Sequence, residues 1–125
     1  MEFFSFSQCS STEQELQQLL TIDTLNSWCP FHVDKILSHQ DNSGEIYCIW
    51  GQFHIQRELI YGGVRFSLLN CRNAVTWSIT TCPRYRPDEI VVHCTINRTE
   101  QDTDFTDTIE SFVEEWRQAL ESQFS

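Results

Sequence analysis

Positive charge is scarce in this chain of 125 residues: eight Lys and Arg face 18 Asp and Glu, giving a formal net charge of -10 and a pI near 4.6. Such a balance repels nucleic acid and anionic lipid, so neither nucleic acid nor a membrane is expected as a partner. Long apolar runs are missing as well, and nothing approaches the ~20 residues that cross a bilayer. Residues 1–8 hold no Lys or Arg and lead into no apolar segment of the kind a secretory leader carries. Six cysteines are present (Cys9, Cys29, Cys48, Cys71, Cys82, Cys94), but no CxxC pair. Cys48 and Cys94 fall within strand-like segments, where a thiol packs as a small apolar group. Reduced thiols in a cytoplasmic protein are the resulting expectation, and the Asn97-Arg98-Thr99 sequon matters only in a secreted chain. P-loop, GxGxxG, HExxH and GxSxG motifs are all lacking, so no cofactor is expected and a binding role is expected ahead of an enzymatic one. No repeat, low-complexity tract or linker divides the chain, and its length suits one core, so residues 1–125 read as a single domain.

What is present is apolar and patterned. Hydrophobic residues make up 40% of the chain, with nine Phe and four Trp, a composition that buries a core rather than staying unfolded. The clearest period lies in residues 104–124. Phe105, Ile109, Phe112, Val113, Trp116, Leu120 and Phe124 recur at steps of three and four, the mark of a helix with one apolar face. Thr103 and Asp104 are N-cap candidates, and Asp107 suits the first turn, where the helix dipole favours a carboxylate.

Upstream, residues 2–6 read as a short edge strand. Ser10, Ser11 and Thr12 cap a short helix running to about Ile22. Residues 31–38 lean to strand, followed by the turn Asp41-Asn42-Ser43-Gly44. From Tyr47 to Leu59 the odd positions are taken as the apolar face of one long strand, or of two joined by a bend at Gly51. Gly62-Gly63, Asn70 to Asn73 and Pro83 to Pro87 separate further alternating runs at 64–68, 75–79 and 90–96. The expected fold is α+β: an antiparallel β-meander of about five strands, with a short N-terminal helix and the long C-terminal amphipathic helix as its cover. A helix of about 19 residues is ~28 Å long, close to the width of about five strands at ~4.8 Å spacing.

Four groups of residues are candidates for function. On the polar sheet face, His54, Glu58, Arg65, Thr76, Ser78 and His93 contain the imidazole, carboxylate and guanidinium that acid–base chemistry on an anion needs, although a half-buried sheet is polar on that face in any case. Cys29-Pro30-Phe31-His32 is half of a zinc site with no second half, so no metal is expected. Charge is segregated: the chain is acidic up to residue 56, basic from 57 to 98, and acidic again through the last helix. Asp107, Glu110, Glu114 and Glu121 make a row of anions on that helix suited to a basic surface. The loop Pro83-Arg84-Tyr85-Arg86-Pro87 adds Arg84, Tyr85 and Arg86, residue types common at binding hot spots. The fourth group is apolar: Tyr47, Phe53, Phe66, Trp77, Phe112 and Trp116, placed to line a cavity between sheet and last helix.

The leading expectation is therefore a non-catalytic acidic protein-binding module, of immunity, inhibitor or secretion-chaperone type, engaging a basic or amphipathic protein. In its order of helix, strands and helix on a short acidic chain, the sequence resembles type III secretion chaperones, though with strands where their middle helix would be. The alternative is a small-ligand-binding or enzymatic domain whose cavity lies under the last helix, resembling helix-grip folds in outline. Open strand edges and complementary charge blocks suit a homodimer under either expectation.

Overall fold

The computed structural model describes residues 1–97 and 102–124 of the chain. Arg98, and with it the sequon's Thr99, lie outside the described residues.

Seven strands form one antiparallel sheet: β1 (Glu2–Ser7), β2 (Val33–His39), β3 (Ser43–Cys48), β4 (Gly51–Ile60), β5 (Gly63–Leu69), β6 (Thr76–Cys82) and β7 (Arg86–Thr95). Their spatial order is β1-β7-β6-β5-β4-β3-β2, so the chain from β2 to β7 is the expected meander. The first strand joins the far edge, with Glu2 opposite Thr95 and Ser7 opposite Ile90. The connection from β1 to β2 must cross the whole sheet. It does so as α1 (Glu13–Leu19), one 3-10 turn (Ile22–Thr24) and α2 (Leu25–Trp28), with Leu16, Leu20, Ile22 and Leu25 buried.

The count of seven rather than about five has a local cause. Residues 47–59 fall into two strands that part just before Gly51, as the second of the two expectations has it, but they are joined by a tight hairpin turn at Ile49-Trp50 rather than a bend, with Cys48 paired to Gly51. Gly51 takes φ +129, a conformation that costs a side-chain-bearing residue strain. Residues 48 and 51 face the same way, so the turn exchanges parity. Ile46 and Cys48 point inward on β3, whereas Phe53, Ile55 and Arg57 do so on β4. Tyr47 is thereby carried to the outer face, 49% exposed, and cannot line the interior.

The cover is α3 (Thr103–Phe124), with Ile109, Phe112, Val113, Trp116 and Leu120 buried. Its cap sits one residue earlier than expected: the Asp102 carboxylate accepts from the Asp104 N–H at 3.0 Å. The helix is stapled to β1 by small inward-facing donors. Ser5 Oγ donates to the Val113 carbonyl at 2.7 Å and Ser7 Oγ to the Arg117 carbonyl at 3.2 Å, while the Cys9 thiol lies 3.7 Å from the Leu120 carbonyl. These acceptors lie about one turn apart along the helix. A serine is short enough to let strand and helix approach, and its hydroxyl is satisfied by the contact. One end of the last helix is thus anchored along an edge strand, and its apolar face is left to close over the middle of the sheet.

Candidate functional site

Between sheet and α3 the chain assembles aromatic rings. Phe66 on β5 and Trp77 on β6 are cross-strand neighbours, their rings stacked at 5.4 Å. Phe112 enters from the helix and stands edge-on to Trp77 at 4.9 Å, Trp50 at 5.2 Å and His32 at 5.4 Å. Farther along the helix, Trp116 stacks on Trp28 at 5.8 Å. Of the aromatics expected around a cavity, Phe66, Trp77, Phe112 and Trp116 are buried here and Phe53 is half-buried against them, while Tyr47 is on the other face. Trp28, Trp50 and Phe105, not among the expected lining, belong to the same cluster. Trp50 was hidden by its position in what reads as the middle of a strand.

The polar atoms of this interior are unequally served. Trp50 Nε1 donates to Thr108 Oγ1 at 2.9 Å, and Trp28 Nε1 to the Leu19 carbonyl at 3.3 Å. Trp77 Nε1 and Trp116 Nε1 are buried with no acceptor among the described residues. An unmade hydrogen bond of this kind costs about 1–3 kcal/mol. Arg57, by contrast, is buried with acceptors in reach: it donates through Nε to the Leu20 carbonyl at 2.8 Å and through a second nitrogen to the Gln17 carbonyl, closing the end of α1. Burial pushes its pKa down.

His32 is also buried, and its partner comes from α3. Its Nδ1 lies 2.7 Å from Glu115 Oε1, and Glu115 Oε2 accepts the Phe31 N–H at 3.0 Å. The sequence places Glu115 on the acidic face of the helix. It is in fact on the flank of the apolar stripe, one turn after Phe112, and this spacing was the available signal. Cys29, the other member of the zinc half-site, is buried beside this pair. Desolvation, then the Glu115 carboxylate, holds its thiol well above the usual pKa, which makes it a poor thiolate ligand or nucleophile. Among the described residues no three His, Cys, Asp or Glu side chains are grouped to hold a metal.

On the outer face, Arg65, Thr76, Ser78 and His93 line one shallow pocket of about 190 Å³, while His54 lies beside a different one. Glu58 and Arg65 form a two-bond pair at 3.2 and 3.0 Å, which lowers the Glu58 pKa. His54 reaches Glu45 at 3.4 Å, and His93 reaches Glu2 at 2.9 Å while stacking on Phe4. Thr76 and Ser78 lie between on β6, on the same face. In the acidic row of α3, Glu114 and Glu121 are both bridged by Arg117. Glu114 is held below the usual carboxylate range by that guanidinium, and Glu121 first by the Gln8 N–H and then by Arg117. Asp107 and Glu110 are exposed. Arg84 lies over the Tyr85 ring in the turn between β6 and β7, and Arg86 pairs with Glu89 and covers Phe6.

No family model matches the sequence, and no curated protein resembles it in sequence. Solved structures do match in shape. A START superfamily protein from Mycobacterium smegmatis superposes with a TM-score of 0.61 at 10% identity, over 99% of this chain and 95% of that one. An uncharacterized protein from Bacillus thuringiensis gives 0.66 at 13% identity, over 99% and 98%. DynU16, a protein in the dynemicin biosynthetic locus, gives 0.54 at 10% identity, over 98% of this chain and 48% of its own. These likenesses correct the expectation of an acidic protein-binding module: the whole chain takes a fold found in the START superfamily, and half of the acidic row it rested on is spent on Arg117. At such low identity the fold is what this chain shares with them.

Proposed function

We propose that the chain is a small-ligand-binding domain whose apolar ligand seats between the sheet and α3. The observation that carries this reading is the pair of buried, unpartnered indole N–H groups on Trp77 and Trp116. Among the described residues the other sealed polar side-chain atoms have partners, so each of these two indole donors is open to an oxygen acceptor on a ligand with an apolar body. The fold, shared with a START superfamily protein, sets this aromatic interior between a wide antiparallel sheet and one long helix. Phe112 is the plug of such a seat, because its ring touches Trp77 on one side and Trp50 and His32 on the other.

The test uses the four indole N–H signals in a nitrogen-15 correlation spectrum, assigned with Trp77→Phe and Trp116→Phe. Titration with 2-undecanone, a neutral chain bearing one carbonyl, is expected to move the Trp77 or Trp116 signal downfield and leave Trp28 in place. Saturation of the solution with no movement of either central indole would count against the reading.

A further inference from the structure

The sheet ends in two edge strands, β1 and β2, and the two are built differently. The β2 edge is broken by register shifts between Val33 and Lys35 and between Ile36 and Ser38, and it carries Asp34 and Lys35. Bulges and charges of this kind keep an edge from pairing with another strand. The β1 edge has no such device. Glu2 to Ser7 runs opposite β7 in unbroken register, with Phe4 and Phe6 along it and no proline, lysine or arginine.

The pairing with β7 decides which backbone groups of β1 are left over. Met1 N donates to the Ile96 carbonyl at 3.2 Å and the Ile96 N–H donates back to the Met1 carbonyl at 3.1 Å, so the residues bonded to β7 are the odd ones, Phe3, Ser5 and Ser7. The N–H and C=O groups of Glu2, Phe4 and Phe6 point away from β7, and none has a partner among the described residues. The next outward donor, the Gln8 N–H, is taken by Glu121 of α3 at 2.9 Å. The helix thus closes the edge just beyond the strand and leaves the strand itself open. The same residues carry an aromatic row on the outer face: Phe4 and Phe6, 50% and 41% exposed, stack at 6.1 Å. The Arg86 guanidinium lies 5.7 Å from the Phe6 ring centre.

We propose that β1 is a dimer interface, on which a second copy of this chain adds its own β1 antiparallel about a two-fold axis beside Phe4, so that one sheet runs through both copies. The occupant follows from self-complementarity. With Phe4 opposite Phe4, Glu2 of each copy stands opposite Phe6 of the other, the register in which the outward N–H and C=O groups of Glu2, Phe4 and Phe6 all find partners. On the outer face it brings the two Phe4 rings together and sets each Glu2 carboxylate beside the Arg86 guanidinium that covers the opposing Phe6. On the inner face α3 packs on β7 as well as on β1, so its axis lies behind the edge and the two helices meet flank to flank. None of these residues belongs to the interior seat, and the two proposals can fail separately.

The experiment is sedimentation of the full chain across a concentration series, with backbone amide exchange followed by NMR. The expected result is a monomer–dimer equilibrium in which exchange of the Phe4 and Phe6 amides slows as concentration rises. Phe4→Lys should abolish the dimer and keep the dispersed indole signals of the folded chain, whereas Leu37→Lys, the same change of charge at an exposed position on β2, should leave the dimer intact. Glu2→Arg and Arg86→Glu should each weaken dimerisation several-fold, and the two together should restore it. A chain that stays monomeric up to its solubility limit overturns the proposal, as does a dimer that survives Phe4→Lys or is lost with Leu37→Lys. Phe4 and Phe6 amides that exchange at a rate independent of concentration, or a double charge exchange no better than either single one, overturn it as well.

Discussion

The four tryptophans divide into two pairs, and the division follows position. Trp28 and Trp50, half-buried at the rim of the aromatic cluster, each have an acceptor for the indole N–H. Trp77 and Trp116, sealed at its centre, have none among the described residues. Burial raises the cost of an unmet donor, so a fold shaped by stability alone would show the opposite order. The chain evidently can supply acceptors: Thr108 serves Trp50 from one face of α3, and Ser5 and Ser7 satisfy themselves on the carbonyls of its other side. What the comparison teaches is that the centre keeps polarity the chain itself does not use, and the largest effects should come from residues that join the two regions.

Phe112 is such a residue, since its ring contacts Trp50 at the rim and Trp77 at the centre. Phe112→Ala should cost about 3–5 kcal/mol in urea unfolding, with the slope unchanged. If the centre is a ligand seat, 2-undecanone should recover more stability in this variant than in wild type, because the plug is gone and the donors remain. Equal stabilisation of the two proteins would break the link between the unpaired indoles and a binding space.

Glu115→Ala should come next, at about 2–3 kcal/mol, because it strands both the His32 ring and the Phe31 N–H. Glu115→Gln keeps an acceptor and should lose less. A cost as small as that of Asp107→Ala, at an exposed site, would mean that the pair is not a buried one in solution.

How much of this was legible beforehand follows from what kind of pattern carried it. Local periodicity marked α3, the alternating runs that form β5, β6 and β7, and the inward course of Phe66 and Trp77, because each is decided by near neighbours in the chain. The parity of Tyr47 was not, since a two-residue turn at Ile49-Trp50 contains no proline and is read as strand, and the unread turn leaves the residues before it, Tyr47 among them, on the face opposite to the one a continuous strand gives them. The edge position of β1 was expected, but not its neighbour: pairing Glu2 with Thr95 spans almost the whole chain. The His32–Glu115 contact was beyond reach for the same reason. Half of it was visible as an imidazole near Cys29, the other half as one carboxylate among several on a helix, and only packing joins them. Charge misled most, because counting acids on a helix face does not reveal that Arg117 holds two of them.

The smallest effects give the sharpest form of the comparison. Thr108→Val removes the acceptor of Trp50 Nε1 with little change of shape, turning a rim tryptophan into the central kind, and should cost about 1–2 kcal/mol. Trp77→Phe does the reverse: it deletes an unmet donor along with some packing volume, two terms of opposite sign, so its net cost should stay within about 1 kcal/mol. Trp50→Phe has no such offset, because the bond it loses is a satisfied one. Urea midpoints for Trp77→Phe and Trp50→Phe therefore decide the matter. If the central substitution is the costlier of the two, Trp77 finds an acceptor in solution and the centre is as well served as the rim. If it is the cheaper, the open donor is real and exerts a measurable cost in the absence of whatever completes it.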